Sequence, residues 1–259
     1  MDRRNRVRVR TVSGLGAVVV GAALVATVLA ASPGVPVAGG SAGQAHGSIV
    51  GRVVLTDPPA PRMVAVTTDQ AVCGTEVEDQ AVVVDASGGL ANAVVLVAGV
   101  PWSERPSDAS IDNAGCYFVP RVQVLPTRTV VTIRSQDDTL HSTHAYDDRQ
   151  RTLFNIAIPF PGLEVQRPFR RPGPVRIECD SHGWMRGWVY VSDDLGTVTG
   201  PDGAFELAGI PPGTYDLLVW HERYAGVGGF QLVAGPPVAA TRQVTVTAGA
   251  TARADFTLQ

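Results

Sequence analysis

The sequence predicts an all-β protein built from sandwich-type modules, and three observations carry that prediction. Gly 28 and Pro 19 make up about 18% of the 259 residues, against an average near 12%, which favours turns and short strands over long helices. After residue 46 no convincing helical pattern occurs. Short alternating or β-branched runs punctuated by Gly and Pro stand there instead, the spacing of a sandwich or barrel. With 45% hydrophobic and 17% charged residues, the chain can fill a core in one large or two small domains.

The N-terminus comes first. Residues 1–10 hold five Arg, and Thr11 to Ala31 carries no charge. A basic stretch followed by an apolar run is an export signal. At about 20 residues the run also fits an uncleaved membrane anchor, so residues 1–31 are a signal peptide or an anchor. Arg3-Arg4 resembles a twin-arginine signal, without the hydrophobic residues that should follow. Residues 32–45 (SPGVPVAGGSAGQA) are small and uncharged and read as a flexible tether. The remainder is expected in the periplasm, secreted, or on the outer face of the cytoplasmic membrane, where disulfides persist. The formal charge is −3, and the leader holds +4 of it, which leaves about −7 for residues 46–259. A mildly acidic body argues against a nucleic-acid partner, which requires clustered basic residues.

The strands follow in order. Candidate runs are Ile49–Leu55, Ala81–Val84, Ala93–Val97, Val130–Arg134, Val175–Cys179 and Gly187–Val191. Later ones are Ala204–Leu207, Tyr215–Trp220, Arg242–Thr247 and Ala252–Leu258. No repeat of fixed period, phosphate-binding Gly-rich loop, HExxH or GxSxG is present.

There are three cysteines, Cys73, Cys116 and Cys179. An odd count in an exported chain suggests one disulfide and one thiol with a chemical task. Cys73 and Cys116 stand in turn-like Val-Cys-Gly and Gly-Cys-Tyr contexts, so they are paired. The bridge would close a loop of about 43 residues and contribute about 4 kcal/mol by the chain-entropy estimate. Cys179 ends a strand and is followed by Asp-Ser-His-Gly-Trp-Met.

That segment carries the strongest signal, Cys179-x-x-His182-x-x-Met185. Thiolate, imidazole and thioether on one short loop select copper, and a blue-copper site needs a second His. The stretch from Val131 to His144 offers one, as a strand running into a polar turn and then His141 and His144. Zinc on Cys179, His182, His141 and His144 is the competing reading.

At these residues the chain resembles a cupredoxin, the Greek-key β-sandwich of plastocyanin, azurin and amicyanin. Arg171-Pro-Gly-Pro-Val-Arg-Ile-Glu-Cys179 is similar to the family's strand leading into the Cys. Met185-Arg-Gly187-Trp-Val189-Tyr-Val191 is similar to its final strand, and the short ligand loop is like that of amicyanin. The resemblance implies one type 1 copper held by His141, Cys179, His182 and Met185. It puts His141, not His144, first; on a strand residue 144 would face the other way. Ser135 and Ser142 stand where many members carry Asn. In the family electrons usually leave through the edge of the loop His, here His182. Trp184 beside it either joins an apolar docking patch or, with Trp188, covers the site.

Residues 197–222 carry a second pattern. Pro201-Asp202-Gly203 and Pro211-Pro212-Gly213 are turns, and Phe205/Leu207 and Tyr215/Leu217/Val219 alternate. This resembles the carboxypeptidase regulatory-like domain, a small transthyretin-like sandwich with no peptidase zinc set here. The opening G-x-V-x-G-x-V of such domains is not adjacent; something like it occurs at Gly47-Ser-Ile-Val-Gly51. The expected organisation is tandem, residues 46–193 forming the copper domain and 194–259 the regulatory-like domain. In the alternative, residues 47–55 supply the first strand of the second domain. His221, in Trp-His-Glu, and His46 are secondary ligand candidates.

The combination resembles exported proteins of the methylamine-utilisation type. It implies a non-enzymatic one-electron carrier working with a redox protein partner. The alternatives are a cell-surface binding or adhesion protein with a vestigial metal site, and a copper storage or delivery protein using His144 and His221.

Overall fold

The computed structural model describes residues 45–224 and 240–259. The leader, and with it the signal-or-anchor expectation, lies outside the described residues. Among the described residues no helix is long and apolar enough to cross a membrane.

The chain is almost wholly β. Its first strands are β1 (Gly47–Leu55), β2 (Met63–Ala65), β3 (Glu76–Glu78) and β4 (Val94–Pro101), with one helical turn, α1 (Gln70–Cys73), between β2 and β3. A central block follows: β5 (Ser110–Ala114), β6 (Tyr117–Val119), β7 (Val122–Leu125), β8 (Val130–Ser135) and β9 (His141–Tyr146). It continues with β10 (Thr152–Ile158), β11 (Glu164–Pro168), β12 (Gly173–Glu178) and β13 (Arg186–Val191). The last strands are β14 (Asp194–Val198), β15 (Ala204–Ile210), β16 (Gly213–Trp220), β17 (Ala240–Val246), β18 (Thr251–Arg253) and β19 (Phe256–Leu258).

The central block forms one sandwich. A five-stranded sheet in the order β10-β9-β12-β13-β7 faces a four-stranded sheet in the order β11-β8-β5-β6. The β13–β7 and β5–β8 pairs are parallel and the others antiparallel. Between the sheets lie Ile111, Phe118, Val131, Ile133, Ile177, Val189 and Val191, all buried.

The remaining strands form a second sandwich, and here the strand pairing corrects the tandem expectation. β1 pairs antiparallel with β15 and parallel with β18 and β19. β4 pairs with β14 and β16 in the sheet β14-β4-β16-β17. Strands on both sides of the central block therefore close one core, with Ile49, Val53, Val95, Val97, Leu217 and Val219 fully buried in it. The division at 193/194 fails because β1 and β4 have their pairing partners after residue 193. The Gly47/Gly51 signature has a steric cause. A Cβ on Gly51 would lie 1.8 Å from the Ala254 carbonyl oxygen, and one on Gly47 2.7 Å from that of Ala250.

A third apolar cluster joins the two sandwiches. Val94, Leu96 and Trp220 meet Val122, Val124, Trp188 and Tyr190, with Trp188 and Trp220 edge to face at 5.2 Å. β4 is thus buried on both faces, which is why its sequence is a continuous apolar run and not an alternation. Two expected strands differ. Residues 81–84 contribute only an isolated bridge, Val84 to Leu90. The run 252–258 is split into β18 and β19, with the Ala254 N–H donating to the Val50 carbonyl at the break.

Candidate metal centre

The centre lies at one end of the central sandwich, where β8 turns into β9 and β12 turns into β13. Asp137 in the first turn is held by Ser135, whose Oγ accepts from the Asp137 N–H at 3.2 Å. The second turn closes like a hairpin: the Met185 N–H donates to the His182 carbonyl at 2.9 Å, and the Cys179 N–H to the Met185 carbonyl at 3.3 Å. These two turns bring residues 38 positions apart into contact.

Three donor atoms converge there. His182 Nδ1 is 3.0 Å from His141 Nδ1, and Cys179 Sγ lies 3.6 Å from the former and 4.0 Å from the latter. Both imidazoles are fully buried and Cys179 is the free cysteine, also buried. Met185, 1% exposed, packs in the same core as Cys179. Cys73 and Cys116 form the expected disulfide. Cys116 also approaches Asp137 and His141, but a disulfide sulfur supplies no thiolate for a metal.

Each imidazole turns its other nitrogen to a carboxylate. His141 Nε2 lies 2.9 Å from Asp137 Oδ2, and His182 Nε2 lies 3.0 Å from Asp69 Oδ2. The carboxylates are acceptors, so both Nε2 atoms carry the proton and both Nδ1 lone pairs point inward. Two lone pairs 3.0 Å apart repel unless a cation, proton or metal, stands between them. Burial pushes the His141 imidazole below its usual pKa, the neighbouring His182 adds to this, and Asp137 opposes it. Neutral imidazole is the form that binds metal. Two inward nitrogens, a buried thiol and a carboxylate behind each ring fit a soft-ligand copper site.

Ser142 supports the thiol. Its N–H points at Cys179 Sγ at 3.3 Å, and its Oγ accepts from the Asp180 N–H at 2.7 Å. Serine at positions 135 and 142 therefore pins these turns by hydrogen bonds.

The structure brings His141, Cys179 and His182 together, and leaves the other histidines elsewhere. His144 lies on the opposite side of β9, bonded to Asp180 at 2.9 Å and to Thr152 at 2.8 Å. His221 is buried beyond β16, where its Nδ1 accepts from the Arg223 N–H at 3.1 Å. Burial, then Arg121, push its pKa down to about 4. His46 is exposed. The His182 edge, through which electrons leave in the family the sequence resembles, is 0% exposed here, and Asp69 Oδ2 lies against its Nε2. Trp184 covers the site too, whereas Trp188, the other expected cover, packs on Trp220 between the sandwiches. Its ring is 4.9 Å from that of His182, and its Nε1 donates to the Cys116 carbonyl.

Sequence reasoning missed Asp137 and Asp69. Asp137 was findable, since it stands four residues before His141 in a polar turn. Asp69 is 113 residues from His182, and no local pattern links them.

No family model matches the chain, and no curated protein matches it. Among solved structures, part of it is similar to a purple cupredoxin from Nitrosopumilus maritimus, at 24% identity over 33% of this chain and 100% of that one, TM-score 0.30. It is similar to a reduced amicyanin mutant at 16% identity over 38% of this chain and 98% of that one, TM-score 0.31. It is also similar to the copper-containing nitrite reductase of Thermus scotoductus, at 21% identity and TM-score 0.29, over 37% of this chain and 26% of the enzyme.

Proposed function

We propose that the protein is an exported carrier of single electrons with one type 1 copper. His141 Nδ1, His182 Nδ1 and the Cys179 thiolate would hold the metal, and Met185, buried in the same core, would be the further ligand. The observation that carries this reading is the buried triangle of two inward imidazole nitrogens and a thiol. Copper bound there would supply a Cu(II)/Cu(I) couple in a ligand set suited to both states. The chain's own part is to hold the donors so that little rearrangement accompanies the electron. Ser142 fixes the thiol, the carboxylates fix the rings, and Trp184 with Asp69 covers His182. Nothing in this arrangement calls for substrate turnover.

The partner would be a second redox protein, and the compartment the periplasm, the exterior or the outer membrane face. The basic leader and the Cys73–Cys116 disulfide support export. The test is the visible and EPR spectrum of the Cu(II)-loaded chain beside Cys179→Ser. An intense thiolate-to-copper band with narrow hyperfine splitting, lost in the variant, is the expected result. A colourless chain that binds zinc as readily as copper would overturn the reading.

A further inference from the structure

The two carboxylates behind the imidazoles reach the site by different routes, and the routes meet at one disulfide. Asp137 belongs to the β8–β9 turn. Its Oδ1 accepts from the Gly115 N–H at 2.7 Å and its Oδ2 from the Cys116 N–H at 2.9 Å, besides facing His141. Gly115 and Cys116 are the two central residues of the β5–β6 hairpin, both at φ 60, as a two-residue primed turn requires. That turn presents its N–H groups to Asp137 by its own backbone geometry.

Asp69 arrives from outside the central sandwich. It lies in the excursion between β1 and β4, immediately before α1. Its carboxylate is on His182 Nε2, while Thr68 Oγ1 donates to the Ser181 carbonyl at 3.2 Å. Four residues later Cys73 is bonded to Cys116. Farther along, the Glu78 N–H donates to the Tyr117 hydroxyl at 2.8 Å. The excursion is therefore a cap over His182, and the disulfide is its one covalent tie among the described residues.

We propose that Asp69 and Asp137 are positioning residues of the metal centre, one behind each imidazole. We further propose that the Cys73–Cys116 disulfide holds the Asp69 side in place while the Asp137 side is held by the hairpin itself. The proposal rests on the metal-centre reading above. A carboxylate accepting from the outer N–H fixes the ring and its tautomer and makes the inner nitrogen more basic, which favours Cu(II) over Cu(I). Asp69 has a second effect. It closes the imidazole edge through which an electron would otherwise pass directly to a partner, so exchange there depends on the cap.

The experiment uses the full chain in four forms: wild type, Asp69→Asn, Asp137→Asn and Cys73→Ser. Thermal unfolding of each metal-free form shows which variants remain folded. The first readout needs no metal. Nitrogen-15 signals of His141 and His182 should show protonated Nε2 in the wild type, with slow exchange. Asp69→Asn and Cys73→Ser should speed exchange at His182 alone, and Asp137→Asn at His141 alone. The second readout is the Cu(II)/Cu(I) potential. Loss of either carboxylate charge should weaken Cu(II) binding tenfold to a hundredfold, and each tenfold not matched in Cu(I) raises the potential by 59 mV. Cys73→Ser should shift it in the same direction as Asp69→Asn, and should speed oxidation of the Cu(I) form by a small outer-sphere oxidant.

A wild-type chain without the thiolate band would refute the copper reading, and the nitrogen-15 result would still decide the positioning roles. Rings whose exchange is indifferent to Asp69→Asn and Asp137→Asn would overturn those roles. A Cys73→Ser variant identical to wild type in both readouts would overturn the role of the disulfide.

Discussion

The two sandwiches use the same secondary structure and differ in what they bury. The one made by β1, β4 and β14–β19 has an aliphatic and aromatic core, with Thr199 and, just past β16, His221 and Glu222 as its buried polar groups. The central one buries Asp112, Asn113, Ser135, Asp137, His141, Ser142, Thr143 and His182. Burying a polar group costs unless it is bonded; Thr143 Oγ1 and Asn113 Oδ1 have no partner among the described residues, while those at the metal end hold one another: Ser135 on Asp137, Asp137 on His141, Ser142 on Cys179. The first sandwich is shaped mainly by apolar area. The second gives up apolar area at one end for a preorganised polar centre, and needs a disulfide and a cap to cover it.

Cutting the chain probes this contrast most severely. Residues 194–259 alone lack β1 and β4, which are the central strands of both sheets of the apolar sandwich. They should show no cooperative unfolding transition by calorimetry; a sharp transition would restore the tandem arrangement. Next in size is a core truncation in the apolar half. Leu217→Ala, at a fully buried site, should cost about 2–5 kcal/mol in denaturant unfolding. The copper spectrum should not change, since the two halves divide stability and chemistry.

A pH effect follows from His221. Burial, with Arg121 and Arg223, depresses its pKa from 6.5 to about 4, so it is neutral in the fold while the unfolded chain takes up a proton below 6.5. Its contribution is complete above pH 6.5 and is lost as pH falls toward 4, by about 3 kcal/mol in all. Glu222, whose carboxyl burial pushes up against the pull of Arg121, acts in the opposite direction. The His221 contribution is therefore the difference between wild type and His221→Gln, measured by unfolding from pH 7 to pH 4. The smallest effect is expected at Ser142→Ala, which leaves the Asp180 N–H without its acceptor. A loss of about 1 kcal/mol is expected, with the thiolate band nearly unmoved because the Ser142 N–H on Cys179 Sγ survives in alanine; a large shift of the band would show that the hydroxyl also governs the thiol.

Legibility in the sequence tracked how local each constraint is. The strands at 49–55, 130–134 and 215–220 showed because their side chains alternate or are β-branched. The run at 81–84 misled because apolar residues there pack against the apolar core without a ladder to join. The ligand loop from Cys179 to Met185 was readable because its donors are spaced along one turn. The short strands β2 and β3 and the edge strands β10 and β11 carry little buried surface, so their patterns are faint.

Residue types and spacings along the chain determined the β class, the cysteine pairing and the candidate donors Cys179, His182, Met185 and His141. All of these express constraints within a turn or strand, or the chemistry of a residue type. The tertiary structure decided that β1 and β4 join strands after the central block, as in the Ile49–Leu207 and Val95–Thr197 pairs. It also decided that Asp69 covers His182. Those facts depend on which apolar faces find each other and which backbone passes close enough to exclude a side chain; the Gly47/Gly51 signature left the first open, and no local stretch of sequence settles either.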